Sequence, residues 1–220
     1  MRVAIHQPNL LPWFGFFAKA AQADVLVLLD DVQFSRGSFT NRVRAMSQDG
    51  PRWLTVPVKK DHPKPLIRDA RAVTDAHRRA HDVLRAWYGR MLFPTITSNW
   101  PLATANLMWL VDLFRILHVK TRMMRASELR LEVLPKAAGN VQLCRQLGAD
   151  VYVAGSGADY DDPAVYEAAG IRYERMKFTH PVYEQRRPPG TPFASGLSIV
   201  DALANVGAEE TRRLLEESIR

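Results

Sequence analysis

The chain opens with a short apolar segment, a polar turn, an apolar helical segment and a second apolar segment, and this order strongly constrains the fold. Residues 2–5 and 25–29 predict two strands, and residues 12–22 predict the helix between them. A connection of this length between neighbouring strands is normally a right-handed crossover, which makes the two strands parallel. The opening therefore predicts an α/β fold.

The second half of the chain returns to the same alternation. Strands are predicted near 122–125, 151–153 and 171–176, and helices near 138–147 and 163–169. This order is typical of a Rossmann-like, open and mainly parallel sheet that is flanked by helices. We expect a single α/β domain over residues 1–220.

The middle of the chain interrupts the alternation. Residues 34–73 predict a small irregular or antiparallel excursion, in which 53–58 has the composition of an edge strand because Pro57 cannot donate to a central ladder. Residues 66–73 are expected to pair with that strand. Residues 74–118 then predict a helical insertion.

Helix boundaries follow from capping residues. Asp75 is expected to cap a helix over 76–89, and a second helix is expected over 102–118. Ser198 and Asp201 have capping-box spacing at the start of a closing helix, which Gly207 is expected to end.

Composition narrows the class of protein. With 220 residues and 47% hydrophobic content the chain can bury a substantial core. A lone cysteine, Cys144, excludes an internal disulfide framework and a multi-cysteine zinc site, and its apolar helical setting predicts a structural role. No stretch approaches the roughly 20 apolar residues of a membrane span, so we expect a soluble, cytoplasmic protein. The oligomeric state stays open.

The charge favours partners that carry phosphate. A net charge of +7 and a pI near 9.8 suit nucleotides, nucleotide-linked sugars or nucleic acid. The basic residues are spread along the chain, so a basic cleft explains the charge as well as a nucleic-acid-binding face does.

Polar clusters follow three of the predicted parallel strands. They are His6–Asn9, Asp30–Gln33, and Gly155-Ser156-Gly157 with Asp159. Because ligands bind at the carboxyl ends of the strands in open α/β sheets, we expect these clusters to converge on one site.

His6 is the candidate general base, since histidine has the side-chain pKa closest to neutrality. Asp30 and Asp31 point to opposite faces of a strand, so one of them is expected to face the site. That carboxylate can orient His6, bind a substrate ammonium or take a metal. No metal is expected, because a metal site needs several ligands and the C-x-x-C spacing is absent.

The Gly155–Gly157 loop can form a backbone nest for a phosphate or carboxylate. It lacks the Walker lysine and the dinucleotide fingerprint, and the absence of a G-x-S-x-G motif argues against a hydrolase that uses Ser156 as its nucleophile. Further anion contacts are expected from basic residues in and near the excursion. These are Arg36, Arg42, Arg44, Lys59 and Lys60.

The motifs, taken in order, resemble the WbqC-like family over nearly the whole chain. The matching segments are His6-Gln7-Pro8-Asn9, Leu11-Pro12-Trp13, Leu29 to Phe34, Asn41-Arg42, Trp53 to Lys59, Leu147 to Asp150, Gly155 to Gly157, His180 to Tyr183 and Leu197 to Asp201. Members of that family are associated with bacterial O-antigen and other surface-polysaccharide gene sets and are described as glycine or aminoacyl transferases that act on amino sugars. The resemblance implies an amide-forming enzyme.

The resemblance also gives a set of candidate site residues. The positions that match the family's motifs are His6, Gln7, Asn9, Asp30, Asp31, Gln33, Asn41, Arg42, His180, Tyr183, Ser198 and Asp201.

Three functions remain open. The leading one is an aminoacyl or acyl transferase that acts on the amine of a nucleotide-linked amino sugar, with His6 as base, Arg42 and Lys59 on the diphosphate, and an oxyanion held by Asn9, Gln33 or the Gly155 loop. The donor is a thioester on a carrier protein, an acyl adenylate or an aminoacyl-tRNA.

The second function is an ATP-dependent ligase or nucleotidyltransferase, because the opening is similar to Rossmann-like nucleotidyltransferases in which a first-strand histidine motif binds ATP phosphates. Asn9 here replaces the second histidine of their H-x-G-H pattern. No cofactor other than this ATP is implied. The third function, an RNA-binding module, is favoured only by the charge.

Overall fold

The structure, a computed structural model, describes residues 1–89, 100–132, 134, 136–157 and 161–220. Seven strands are present in these ranges: β1 Arg2–His6, β2 Val25–Leu28, β3 Arg42–Ser47, β4 Gly50–Thr55, β5 Arg122–Arg125, β6 Val151–Ala154 and β7 Arg172–Arg175. The α-helices are α1 Phe14–Ala21, α2 Ala76–Tyr88, α3 Leu102–Ile116, α4 Lys136–Gln146, α5 Pro163–Glu167 and α6 Ile199–Glu217.

Five strands form one parallel sheet in the order β5-β2-β1-β6-β7. The chain begins in the middle of the sheet, builds outward through β2 and β5, and then crosses back so that β6 pairs with the other side of β1. The strand order therefore reverses between β1 and β6, and such a reversal leaves a crevice at the carboxyl ends of the two strands. This sheet confirms the predicted mainly parallel, helix-flanked architecture.

The alternation of side chains along the central strands divides the core into two layers. Ala4, Leu26 and Leu28 pack on one face with the aromatic residues of α1 and with α6. Val3, Ile5, Val25 and Val27 pack on the other face with Val141, Cys144 and Tyr166. A strand that is buried on both faces reads as a continuous apolar run, and for this reason the short apolar segments at the start of the chain are reliable strand signals.

The excursion contains the small antiparallel sheet that was predicted, but its strands lie elsewhere. β3 and β4 form a hairpin in which Arg42 pairs with Thr55 and Ser47 with Gly50. The turn is held by the Ser47 hydroxyl, which donates to the Gly50 carbonyl at 2.8 Å. The expected edge strand over 53–58 thus begins and ends earlier, and residues 42–47, which lack clean periodicity, form its partner.

The expected strand over 66–73 is wrong as a regular element. Only isolated bridges occur there, between Gln33 and Leu66, between Val58 and Ala72, and between Arg71 and Pro101. They join parts of the excursion to one another and to the residue before α3 without forming a ladder.

Gly207 has φ 81° and ψ 175°, so the first helical segment of α6 ends there, as predicted, and a second segment follows it to Glu217. Ser198 caps α6 through the Val200 N–H, as expected, whereas Asp201 does not close a capping box because its carboxylate is used elsewhere. Asp75 precedes α2 with φ 58° and makes no side-chain cap hydrogen bond. None of the helices within the described ranges is both long enough and apolar enough to cross a membrane.

Candidate functional site

A cavity of about 670 Å³ opens where the strand order reverses, at the carboxyl ends of β1 and β6. Its volume is in the range of small-molecule sites. The polar and glycine residues that line it are His6, Gln7, Asn9, Gly15, Lys19, Gly37, Ser38, Arg42, Asn140, Tyr152, Gly155, Ser156 and Gly157. Two of the three predicted strand-end clusters therefore meet here, together with Arg42 from the excursion.

His6 ends β1 and lines the cavity. Its Nδ1 lies 3.1 Å from the Gln7 carbonyl, and its ring packs edge-on against Phe16 at 4.9 Å. Burial, helped by the nearby charge of Lys19, lowers the pKa of His6 to about 4. The imidazole is thus neutral at pH 7. Because a carbonyl can only accept, the neutral ring carries its proton on Nδ1, and Nε2 holds a lone pair with no hydrogen-bond partner among the described residues.

Lys19 is a functional candidate that the sequence analysis did not identify. Its side chain lies on α1, is 5% exposed, and donates from Nζ to the Ile5 carbonyl at 2.8 Å. Burial lowers its pKa to about 8, although the negative charge of Asp161 acts in the opposite direction. A single lysine in the helix Phe-Gly-Phe-Phe-Ala-Lys-Ala-Ala was the available signal, because lysine is almost never buried without a partner or a role.

A polar network supports the floor of the cavity beside Lys19. The Lys19 ammonium lies 5.7 Å from the centre of the Tyr152 ring, which stacks on Tyr166 at 4.5 Å. Asn140 donates to the hydroxyl of Tyr166 at 3.0 Å, and Tyr166 in turn donates to Asp161 at 2.9 Å. The chain fixes these side chains in place, so the cavity is largely pre-formed.

Arg42 supplies a second cation. Its guanidinium lies 4.3 Å from the centre of the Trp53 ring, and its buried Nε has no hydrogen-bond partner among the described residues. The buried hydroxyl of Ser38 is likewise unpartnered within those residues. Both residues line the cavity, so both are free to bind an anionic or polar ligand.

The predicted binding residues Gln7 and Asn41 shape this wall of the cavity. Gln7 accepts a hydrogen bond from the Thr40 hydroxyl at 3.3 Å. Asn41 accepts from the Gly37 N–H and donates to the Val56 carbonyl, both at 3.1 Å. Asn41 does not itself line the cavity, and its contacts hold the loop that precedes Arg42.

Asn106 of α3 is a second residue that the sequence analysis missed. It is fully buried, and its Nδ2 donates to the carbonyls of both Pro8 and Thr40 at 2.8 Å. One amide group thereby ties the turn after β1 to the excursion. No short motif marks it, because its partners are backbone groups distant in sequence.

The Gly155–Gly157 loop follows β6 and lines the cavity opposite the turn after β1. Added Cβ atoms at Gly155 and Gly157 would meet nothing within 4 Å, so these glycines are not needed for packing. The fourth residue of this predicted cluster, Asp159, lies outside the described residues.

The third predicted cluster is placed apart from the cavity. Asp30 is 1% exposed and accepts hydrogen bonds from Arg125 at 2.7 Å and from the N–H and hydroxyl of Ser127 at 3.0 and 2.9 Å. It thereby ties the end of β2 to the end of β5. Asp31 is also buried, which raises its pKa, and one of its oxygens has no partner among the described residues. Neither carboxylate lines the cavity with His6.

Other predicted contacts also lie outside the cavity lining. Gln33 is exposed and bridges to Leu66. Arg36 donates to the carbonyls of Val58 and Lys59. The Lys59 side chain does not line the cavity.

The C-terminal motif forms a buried anchor. Asp201 is fully buried and accepts from the hydroxyls of Tyr88 and Tyr183 at 3.0 and 2.7 Å and from Gln185 at 2.7 Å. His180 accepts the Gly196 N–H on Nε2 at 3.0 Å, and its Nδ1 lies 2.8 Å from the Pro181 carbonyl. His180 and Tyr183 do not line the cavity.

Within the described residues, no group of three or more His, Cys, Asp or Glu side chains is arranged to hold a metal ion.

Comparisons with known proteins agree with the motif order. The model of the WbqC-like protein family matches residues 7–213. A protein of Mycobacterium tuberculosis (strain ATCC 25618 / H37Rv), named "Uncharacterized protein Rv1507c", is 29% identical in an alignment of 224 positions that covers 94% of this chain and 95% of that protein. No solved structure matches significantly.

Proposed function

Because the chain belongs to the WbqC-like protein family, we propose that it is an aminoacyl or acyl transferase that forms an amide on the amine of a nucleotide-linked amino sugar. The observation that carries the proposal is the neutral His6, with a free Nε2, in a cavity that also holds two cationic side chains, Lys19 and Arg42. A neutral base next to fixed positive charge suits an amine nucleophile and an anionic substrate.

In the reaction, the amine nitrogen of the sugar attacks the carbonyl carbon of the donor. A C–N bond forms, the bond to the donor's leaving group breaks, and a proton of the amine passes to Nε2 of His6. The backbone carbonyl of Gln7 accepts a hydrogen bond from Nδ1–H and so orients the ring. This assignment gives Gln7 the positioning role that a carboxylate has in many His-based sites.

The cations have separate roles. An ammonium has three donors, and Lys19 uses one on the Ile5 carbonyl, so two remain for the oxyanion that develops on the donor. Arg42, at the wall formed by the excursion, binds the diphosphate. The N–H groups of the Gly155 loop contribute on the opposite side. Asp30 and Asp31 receive no catalytic role in this scheme, because neither lines the cavity.

The test is turnover by the purified chain with amino-sugar nucleotides and each donor class: a carrier-protein thioester, an acyl adenylate and an aminoacyl-tRNA. H6Q is expected to lower kcat by about 10² to 10⁴, the usual contribution of a general base. H62Q, at an exposed loop histidine, is the matched control and should leave turnover unchanged. Full activity in a folded H6Q protein would remove His6 from the mechanism.

An ATP-dependent ligase or nucleotidyltransferase would use the same cavity. A histidine that binds phosphate is favoured when it is protonated, whereas His6 is neutral at pH 7 because of its lowered pKa. We therefore place the transferase first. Thermal-shift measurements with ATP and with an amino-sugar nucleotide separate the two functions, since a shift with ATP alone would favour the ligase.

A further inference from the structure

Two large aromatic side chains are exposed together at the mouth of the cavity. Phe39 is 53% exposed and Trp53 is 47% exposed, and their ring centres lie 5.7 Å apart at an angle of 54°. Phe39 lines the cavity, and Trp53 lies just beyond it on β4. We call these two residues the aromatic platform.

Arg42 connects the platform to the cavity. Arg42 pairs with Thr55 in the hairpin, so Trp53 is its diagonal neighbour on the same face, and the guanidinium rests 4.3 Å from the Trp53 ring. Arg42 also lines the cavity. A cation is thereby held between exposed aromatic surface on one side and the cavity on the other.

The platform is held by the backbone. Trp53 lies in the β3–β4 ladder, and the Phe39 carbonyl accepts the Leu10 N–H at 2.8 Å, which ties it to the turn after β1. Single exposed apolar residues are ordinary on protein surfaces. Two aromatic rings in mutual contact, fixed at the edge of a cavity and joined to a cation, are instead typical of a site where a flat ligand stacks.

We propose that the aromatic platform binds the nucleobase of a nucleoside diphosphate, with Arg42 on the phosphates and the group attached to the diphosphate inside the cavity. The inference rests on the proposed function for the nucleotide-linked nature of the substrate and adds where the base lies. Bases stack on aromatic rings through their π-faces, so the platform contributes affinity with little discrimination among bases.

The test is equilibrium binding to the full chain, measured by calorimetry with UDP, ADP and pyrophosphate. Pyrophosphate shares the anion and lacks the base. We expect the diphosphates to bind at least about tenfold more tightly than pyrophosphate, the lower part of the range for stacking on aromatic side chains. F39A should remove most of this difference and leave pyrophosphate binding unchanged. W53A should also remove most of it, and because Trp53 contacts Arg42, any loss of pyrophosphate affinity in W53A measures that contact. W53F should retain the difference.

W100A is the matched control, because Trp100 is 41% exposed and does not line the cavity. It should leave all three affinities unchanged. Thermal unfolding of each variant identifies any variant that does not fold. If W53A does not fold, F39A and W53F still decide the test.

Three results would overturn the inference: equal affinities for UDP, ADP and pyrophosphate; unchanged nucleotide binding in folded F39A and W53A; or a single-stranded oligoribonucleotide that binds the platform more tightly than the mononucleotides. The outcome is independent of turnover. Platform-dependent nucleotide binding without acyl transfer would refute the proposed function alone, and acyl transfer without platform dependence would refute only the inference.

Discussion

Lys19 gives the sharpest prediction, since its burial couples the protonation of the cavity to the stability of the fold. Folding takes its ammonium into a site that is 5% exposed and lowers its pKa from 10.5 to about 8. At about 1.4 kcal/mol per pKa unit, holding the charged form costs about 3 kcal/mol at pH 7. We predict that K19M removes a measurable pH dependence of stability.

The sign follows from proton binding in the two states. Below pH 8 the lysine is charged in both the folded and the unfolded chain, so the full cost is present. Between pH 8 and 10.5 the unfolded chain binds the proton and the folded chain does not, and the stability contributed by this residue therefore rises with pH. From pH 7 to pH 10 the gain is about 2.5 kcal/mol.

The assay is urea unfolding of the wild type and K19M at pH 7, 8, 9 and 10. Other groups also titrate in this range, so the quantity to compare is the difference between the two proteins at each pH. That difference should shift in favour of the wild type by about 2.5 kcal/mol. K177M, at an exposed lysine, should run parallel to the wild type. Parallel curves for K19M would mean that Lys19 titrates normally, and the reasoning about its burial would fall.

Two further predictions concern buried polar residues outside the cavity floor. D201A leaves the donors of Tyr88, Tyr183 and Gln185 unpaired and should lower the free energy of unfolding by about 3–5 kcal/mol in urea unfolding. The control D162A, at the exposed cap of α5, should lower it by about 1 kcal/mol. Equal effects of the two substitutions would show that the anchor is not a coupled network. N106D places a carboxylate against the carbonyls of Pro8 and Thr40 and should lower the free energy of unfolding at pH 7 more than N106L does. Because burial raises the pKa of the new carboxyl, N106D should regain part of this stability at pH 5. Equal stability of the two variants at both pH values would contradict the prediction.

The parallel sheet was predictable because its local signals agree. The strands at the start of the chain are continuous apolar runs, and their polar turns mark where they end. The β3–β4 hairpin of the excursion was not predictable. Strand β3, Arg-Val-Arg-Ala-Met-Ser, is paired through backbone groups and buries only part of its surface, so its side chains show no clean alternation. The break at Gly207 was predictable because glycine readily adopts a positive φ, whereas nothing local indicated that a second helical segment follows it.

The candidate site was predictable in part. His6 and the Gly155 loop follow directly from strand ends, because the carboxyl ends of neighbouring parallel strands meet at one edge. The same rule predicted that Asp30 lies in the site. Asp30 instead accepts hydrogen bonds from Arg125 and Ser127, at and just after the end of the neighbouring strand β5, and so lies on the other side of its own strand end. Sequence does not specify which side a loop residue takes when its partner is more than 90 residues away.

The first 20 residues therefore supply a base and a cation through one strand, one turn and one helix. Lys19 bonds the carbonyl of Ile5, the residue before His6, so the cation is held by the same strand that carries the base. Burial is the main reason that the pKa of His6 is low, and the charge of Lys19 adds to it, so removing that charge should raise the pKa of His6 while burial still holds it below its ordinary value. The two groups thus form a coupled pair: Lys19 protonated and His6 unprotonated coexist only between about pH 4 and pH 8. For amide formation that uses both, activity should be highest in this window, and in K19M the acid limb of the residual activity should move to higher pH.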